Sequence, residues 1–160
     1  IGAWNRKYDW KGELMNTYQV LAYPGTGRLP GAEGEALWAG FVIDVPGGAV
    51  FFAGDTGLGN GWWIDPVRAA APDLRLALLP IGAYEPRWFM EANHMDPSDA
   101  IEAFQRLGAR HALATHFGVF PLADDGFEDA ERAFLAARAD ADISPDVFRA
   151  LQPGENWRLA

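Results

Sequence analysis

Three side chains that can bind metal ions follow apolar runs of this sequence, and their positions constrain the fold more than any other feature. Asp55 follows a short apolar run, His94 closes the segment Ala77–His94, and His116 follows a third apolar run. Open α/β sheets place their chemistry at the carboxyl ends of their strands. The pattern therefore predicts a sheet of this class, with polar chemistry along one of its edges.

The order of strand-like and helix-like segments predicts the fold class. The apolar runs Leu37–Val45 and Ala49–Ala53 flank Pro46-Gly47-Gly48, a pattern typical of a hairpin with a short turn. From Ala49 to Ala139, strand-like and helix-like segments then alternate, which is typical of the α/β class.

The segments on either side of this hairpin carry different signals. Residues 1–35 are predicted to be mostly loop, with one strand near Tyr18–Ala22, because charges interrupt the aromatic residues and glycine and proline follow them. The predicted later elements are a helix over Trp62–Ala71, a strand over Leu74–Leu79, an aromatic loop over Tyr84–His94, a helix capped by Asp96 and stopped by Gly108, and a strand over His111–Thr115. The last are a helix over Phe127–Ala139, with Phe127, Ala130, Phe134 and Leu135 facing inward, and a hairpin of Phe148–Leu151 with Trp157–Leu159.

The composition excludes several classes of protein. Hydrophobic residues make up 49% of the chain, which argues against disorder. A net charge of −9 argues against a nucleic-acid partner, because phosphate binding needs a basic patch. The sequence has no cysteine, so it offers no disulfide framework and no thiolate ligand for zinc, and it fits a reducing compartment. Since no apolar run reaches transmembrane length and no signal peptide opens the sequence, we expect a cytoplasmic protein.

Each candidate residue has a chemical and a structural interpretation. The two oxygens of Asp55 suit a carboxylate that bridges two cations, but an Asp at this position also caps a loop. His116 is either a zinc ligand or a structural histidine at a strand end. His94 precedes a predicted helix, where it either binds an anion with the helix N-terminus or serves packing. His111, at the start of the same strand as His116, is interpreted as a surface residue or a satisfied polar group.

The aromatic loop adds large apolar side chains to this region. Trp88, Phe89 and Met90 either line a pocket or touch lipid, or they fold back to cover the sheet. A catalytic zinc centre needs at least three protein ligands. Asp55 and His116 alone therefore indicate only part of a metal site.

Four segments together resemble a known family. Leu37–Phe41, Gly54–Gly57, Leu78–Met90 and Thr115–Gly118 are similar, in order and spacing, to the metallo-β-lactamase fold superfamily. Within it they resemble the N-acylphosphatidylethanolamine-hydrolysing phospholipase D group and its bacterial relatives. The resemblance implies the C-terminal half of an αββα sandwich, with one sheet and flanking helices. The upstream half, with a His-x-His-x-Asp-His metal motif, lies outside the 160 residues, so the chain by itself is expected to be inactive.

The resemblance also implies a role for each site residue. Asp55 is the carboxylate that bridges two zinc ions, and His116 is the last zinc ligand. His94, Tyr84 and Trp88 lie at the mouth of the site and contact substrate. The implied activity is zinc-dependent hydrolysis of a phosphodiester in an N-acylated phospholipid or a similar substrate, by an enzyme in peripheral contact with membranes.

Two alternative functions are compatible with the same residues. Within the fold, the chain could derive from another hydrolase, such as a lactonase or a small phosphodiesterase. In a different class, it is a non-catalytic half-domain that acts as an interaction module. An open half-sandwich exposes an apolar face, which soluble monomers rarely tolerate. This alternative therefore predicts a partner or a homodimer that covers the face.

One position departs from the family pattern. Pro24 stands where the family has a further zinc-binding histidine, and Arg28 matches the end of that segment. Codons GGC ACT GGT CGN for Gly25–Arg28 encode His-Trp-Ser in a shifted frame, so a frameshift near Tyr23–Gly34 is one hypothesis and ordinary divergence is the other. Coding DNA without those bases would exclude the frameshift.

Overall fold

The computed structural model describes residues 4–10, 13–21 and 39–159, with side chains from residue 39 onward. Pro24 and the proposed frameshift segment lie outside the described residues. The chain forms seven strands and four helices within the described part, in the following order. These are β1 (Trp4–Trp10), β2 (Glu13–Leu21), β3 (Ala39–Ile43), β4 (Ala49–Phe52), α1 (Ile64–Ala70), β5 (Leu74–Pro80), α2 (Arg87–Met90), α3 (Pro97–Leu107), β6 (His111–Thr115), α4 (Asp129–Asp140) and β7 (Phe148–Ala150).

All seven strands belong to one sheet, and their spatial order equals their order in the sequence. The strands from β1 to β4 pair antiparallel, and those from β4 to β7 pair parallel. The predicted α/β class and the predicted β3–β4 hairpin are confirmed. Parallel pairing places the ends of β4, β5 and β6 at one edge of the sheet, which is where the candidate residues follow.

The N-terminal prediction is wrong in one respect. Instead of loop with a single strand, Trp4–Trp10 and Glu13–Leu21 form an antiparallel pair, and the second strand then pairs with β3. Aromatic residues at positions 4, 8 and 10 share one parity, with polar residues at 5, 7 and 9 between them, and this period of two, interrupted only by Arg6, is the pattern of a strand. The interleaved charges belong to that alternation and do not indicate a loop.

One face of the sheet packs against the helices. Val42, Phe51, Ala77, Ala112 and Phe148 lie in register across five strands, and all five side chains are buried. Helix α3 packs between α1 and α4 over this row, and α4 also contacts β7. The core therefore lies between the parallel half of the sheet and its helical layer.

The opposite face carries an apolar row that none of the four described helices covers. Phe41, Phe52, Leu78 and Leu113 are neighbours across four strands. Phe41 and Phe52 remain 39% and 41% exposed, and the two leucines are half-buried. We call this row the outer face.

Helix α3 has the caps that its sequence predicts. The Asp96 carboxylate accepts from the Asp99 backbone N–H at 2.8 Å, and the Asp99 carboxylate accepts from the Asp96 N–H at 3.2 Å. Pro97 occupies the first turn, and Gly108 ends the helix with a left-handed φ of 68°.

Replacing Asp96 with alanine is expected to lower the free energy of unfolding by about 1 kcal/mol, because the Asp99 N–H loses its acceptor. Asp96→Asn keeps a side-chain acceptor and should lose less. Urea unfolding measures both, with Ser98→Ala as the control at an exposed position of the same turn. Equal stability of Asp96→Ala and Ser98→Ala would contradict the assigned cap.

Three further local predictions need correction. The aromatic segment Tyr84–His94 contains the short helix α2, which follows Pro86. In α4, Ala130 and Phe134 are buried as predicted, but Phe127 precedes the helix and is exposed, and Leu135 is turned toward solvent. Each residue rotates the helical direction by about 100°, and with Phe134 buried, Leu135 lies on another side of α4, where it is 43% exposed.

The chain also ends differently from the predicted hairpin. Strand β7 pairs in parallel with β6, and residues 157–159 form no strand. The Trp157 ring instead packs against Arg149, whose Cζ lies 5.2 Å from the ring centroid. It also packs nearly perpendicular to the His111 ring, with the two ring centroids 5.5 Å apart. His111 is thus a half-buried packing residue, and its Nδ1 has no hydrogen-bond partner among the described residues, so it is not a satisfied polar group. Within the part of the chain that the structure describes, no helix is long and apolar enough to span a membrane.

Candidate metal centre

Asp55 and His116, predicted as metal ligands, and His94, predicted to contact substrate, converge at the end of the parallel strands. Asp55 follows β4, His94 lies between α2 and α3, and His116 follows β6. Asp55 Oδ1 is 3.0 Å from His94 Nδ1, and Asp55 Oδ2 is 3.6 Å from His116 Nε2. One ligand atom from each residue lies within 4.8 Å of the other two. The sequence analysis placed His94 at the mouth of the site, and the structure places it in this cluster.

The polar atoms of the cluster are not satisfied by hydrogen bonds. Asp55 Oδ1 and His94 Nδ1 are buried atoms without a hydrogen-bond partner among the described residues. Their 3.0 Å approach therefore brings two potential ligand atoms together without the geometry of a hydrogen bond. Buried polar atoms in proteins are almost always paired. A carboxylate and two imidazoles form a donor set that zinc accepts, so these residues fit a metal ion.

Close backbone packing brings Asp55 and His94 together. A Cβ on Gly57 would lie 2.8 Å from the carbonyl oxygen of Ala92, which is closer than real Cβ contacts. The Met95 N–H also donates to the Thr56 carbonyl at 3.2 Å. The sequence Asp-Thr-Gly thus contributes to the candidate site in two ways, because its aspartate supplies potential ligand atoms and its glycine permits the approach of residues 91–95, the segment that contains His94.

His116 is positioned by a strained turn. Its φ of 60° lies in the left-handed region, which non-glycine residues rarely adopt. A Cβ on Gly82, in the turn after β5, would collide with the His116 carbonyl oxygen. The turns after β5 and β6 are therefore in backbone contact. Strained residues of this kind cluster at functional sites, where the surrounding structure maintains them.

Asp125 connects the loop after β6 to the turn after β5. Its Oδ2 accepts from the Ala83 N–H at 3.1 Å, and its Oδ1 accepts from the Glu85 N–H at 3.4 Å. Ala83 is another non-glycine residue with a positive φ, at 61°. Two hydrogen bonds to one carboxylate thus stabilise the turn that packs against His116. Sequence analysis missed this residue, because an aspartate in an Asp-Asp-Gly loop gives no local signal of its distant partners.

Tyr84 and Trp88, predicted to contact substrate, both precede His94 in the segment between β5 and α3. Tyr84 packs partly against the core, where burial and then the nearby Asp125 raise its pKa, so its hydroxyl remains a neutral hydrogen-bond donor at physiological pH. Trp88 on α2 is 81% exposed and contacts Phe89, which is 62% exposed. These two aromatic side chains do not cover the sheet, which removes one of the two interpretations of this segment.

Two of the alternative interpretations find no support among the described residues. Asp55 does not cap a loop through Oδ1, since that atom has no hydrogen-bond partner in the described part of the chain. The N-terminus of α3 offers little to an anion at His94, because the carboxylates of Asp96 and Asp99 already accept from its backbone N–H groups. Burial raises the pKa of Asp99, and the neighbouring Asp96 carboxylate adds to this effect.

Comparisons with known proteins agree with this fold. Residues 6–117 match the Beta-lactamase superfamily domain. The chain is 32% identical to N-acyl-phosphatidylethanolamine-hydrolyzing phospholipase D 1 of Caenorhabditis elegans, over 78% of this chain and 35% of that protein. It is 33% identical to a metal-dependent hydrolase of Pyrobaculum islandicum, over 76% of this chain and 46% of that protein. The chain thus spans less than half the length of these two relatives.

The fold is shared with proteins of low sequence identity. The crystal structure of isothiocyanate hydrolase from Delia radicum gut bacteria superposes with a TM-score of 0.66, at 14% identity, over 91% of this chain and 54% of that one. At this identity the likeness concerns the fold alone. Together with the matched domain, which covers more than half of the sequence, it shows that the chain belongs to the beta-lactamase superfamily and resembles its N-acyl-phosphatidylethanolamine-hydrolyzing phospholipases D.

Proposed function

We propose that this chain is part of a zinc-dependent phosphodiesterase of the phospholipase D type that acts on N-acylated phospholipids. The observation that carries the proposal is the convergence of Asp55, His94 and His116 at the carboxyl edge of the parallel strands. Two buried atoms of this cluster, Asp55 Oδ1 and His94 Nδ1, have no hydrogen-bond partner among the described residues. Open α/β sheets place their active sites at this edge.

The geometry of Asp55 supports a bridging role. Its two oxygens face two different imidazoles, at 3.0 and 3.6 Å, as expected of a carboxylate that serves two ligand positions. Asp55 and His116 would hold zinc, and His94 would be either a third ligand or a contact for the substrate phosphate. Zinc bound here would supply an activated water and polarise the phosphodiester. The further ligands that two ions require would come from the upstream His-x-His-x-Asp-His segment that the family resemblance implies.

Apolar side chains beside the cluster support a lipid substrate. A pocket of 180 Å³ is lined by His116 together with Phe117, Val119, Phe120 and Leu122. Phe120 and Leu122 are exposed, as are Trp88 and Phe89 on α2. An acyl chain in this pocket would bury apolar surface next to a metal-bound headgroup. The same exposed side chains suit peripheral contact with a membrane, and the similarity to the nematode phospholipase D agrees with this substrate class.

Hydrolysis by the zinc-loaded protein, expressed from its complete reading frame, tests this substrate. We expect release of phosphatidate and N-acylethanolamine from vesicles that contain N-acylphosphatidylethanolamine. Phe120→Ser should raise KM for a long-chain substrate by about tenfold, because the serine loses roughly two buried methylene equivalents of contact. It should leave the hydrolysis of bis(p-nitrophenyl) phosphate unchanged.

Leu135→Ser is the matched control, because it also removes an exposed apolar side chain but from helix α4. Faster turnover of lactones or of small phosphodiesters than of the lipid would assign the site to another hydrolase of this fold. Equal effects of Phe120→Ser on long-chain and small substrates would refute the acyl pocket.

The outer face favours a second candidate function, that of a non-catalytic interaction module. Phe41, Phe52, Leu78 and Leu113 form an apolar row that the described helices leave uncovered. A homodimer would bury this row. In that case the purified chain would bind little zinc and would elute as a stable oligomer, which Phe52→Ser would dissociate. A zinc-binding monomer would exclude this function.

A further inference from the structure

Arg87 joins residues 91–95, the segment that contains His94, to helix α3. It is the first residue of α2, and its side chain is 30% exposed. Nη1 donates to the His94 carbonyl oxygen at 3.0 Å, and Nη2 donates to Asp99 Oδ2 at 2.7 Å. Nε lies 3.4 Å from Asp96 Oδ2. One guanidinium therefore contacts a candidate ligand residue and both members of the capping box of α3.

We propose that Arg87 is a positioning residue, which holds the His94 backbone in place so that its imidazole stays at the Asp55 carboxylate. The effect on metal binding rests on the proposed function, whereas the effect on the His94 backbone does not.

The hydrogen bonds on both sides of His94 support this role. The His94 N–H donates to the Met90 carbonyl at 2.8 Å, and its carbonyl accepts from Arg87. The imidazole, which is only 14% exposed, is then directed at Asp55. Without the Arg87 contact, the His94 carbonyl loses the hydrogen bond from Nη1, and rotation of this peptide would move the ring away from Asp55.

The anchor of Arg87 is rigid because it belongs to a capped helix. Asp96 and Asp99 hold each other's backbone N–H groups at the first turn of α3, and α3 packs into the core through Ala100 and Phe104. Arg87 thus links the capped start of α3 to the backbone of the loop that carries His94. Two hydrogen-bond acceptors, the His94 carbonyl and the Asp99 carboxylate, match the fork of donors that arginine presents, and the Asp96 carboxylate adds an ion pair at Nε. A lysine ammonium cannot reproduce this geometry.

Arg87→Lys tests the proposal, because it keeps the positive charge beside Asp96 and Asp99 but loses the fork. Amide hydrogen exchange of residues 91–95 is expected to become about tenfold faster, as one charge-assisted hydrogen bond is lost from a locally opening segment. Zinc affinity, measured by competition with a chromogenic chelator, should fall about 10- to 100-fold, as for other residues that orient metal ligands. Arg132→Lys is the matched control, since Arg132 pairs with Asp129 on the exposed surface of α4.

A second variant covers the case in which Arg87→Lys does not fold. Asp99→Asn keeps Arg87 and the shape of the cap, but it removes the charged partner of Nη2, so exchange at His94 should rise by a smaller factor. Unchanged exchange at residues 91–95 in the folded variants would overturn the proposal, even if zinc still binds. Faster exchange with unchanged zinc affinity would overturn the link to the metal. If the wild-type protein, expressed from its complete reading frame, binds no zinc, the proposed function is refuted, and exchange would still decide the role of Arg87.

Discussion

Replacing Asp55 with alanine in the protein expressed from its complete reading frame is expected to abolish zinc-dependent hydrolysis and to lower zinc affinity by about 100-fold or more, since even residues that only orient ligands contribute 10- to 100-fold. Both oxygens of this carboxylate face imidazole nitrogens, at 3.0 and 3.6 Å, so the substitution removes the centre of the donor set. Asp55→Asn keeps the shape but loses the charge and should be almost as deficient. Zinc content after dialysis and turnover of the phospholipid measure the effect.

The fold should tolerate the same substitution. The Asp55 side chain is 38% exposed, and its Oδ1 makes no hydrogen bond within the described residues, so alanine leaves no partner there unsatisfied. We therefore expect an unfolding midpoint close to that of the metal-free wild type. Asp73→Ala is the matched control, because it removes an exposed carboxylate that pairs with Arg110. This pair lies before strands β5 and β6, at the edge of the sheet opposite to Asp55 and His116. Full zinc occupancy with retained turnover in Asp55→Ala would refute the bridging role.

Replacing Gly82 with alanine is expected to lower the free energy of unfolding by about 3 kcal/mol, at the upper end of the usual cost of overpacking. The added Cβ would collide with the His116 carbonyl oxygen and would lie 3.2 Å from the Phe117 Cα. Backbone atoms cannot rotate away as a side chain does, so the turns after β5 and β6 must separate. Urea unfolding measures the loss, and a parallel fall in zinc affinity would report the displacement of His116.

Gly59→Ala distinguishes this steric effect from the ordinary cost of replacing a glycine. Gly59 has a positive φ of 54°, and a Cβ added there would meet no atom within 4 Å, so alanine introduces only backbone strain of about 1 kcal/mol. The strain lies outside the cluster, and zinc affinity should not change. If Gly82→Ala cost no more than Gly59→Ala, the close contact between the two turns would be wrong.

Local signals in the sequence were sufficient for most of the parallel half of the fold. The turn at Pro46–Gly48, the cap at Asp96 and the stop at Gly108 are formed by neighbouring residues, so their chemistry can be inferred without knowing the rest of the chain. The same holds for the buried strands β5 and β6, whose apolar runs are short and clearly bounded.

Elements that depend on distant partners were predicted less well. The N-terminal strands pair with each other and with β3, and β7 pairs with β6, although the sequence indicated loop and a terminal hairpin. A strand of three residues is decided by its neighbour in the sheet and not by its own propensity. In α4, the orientation of Leu135 follows from how the helix is rotated on the sheet, which the sequence pattern left open.

The candidate site, like the fold, was predicted from the sequence only in part. The sequence by itself determined which side chains can bind a metal and that they follow strands, because residue type and strand order are local properties. Only the tertiary structure decided that His94 joins Asp55 and His116, and that Arg87 and Asp125 hold the loops on either side. Distances of 3.0 and 3.6 Å between residues that are far apart in sequence depend on backbone packing at Gly57 and Gly82, which is set by the whole sheet and its helices.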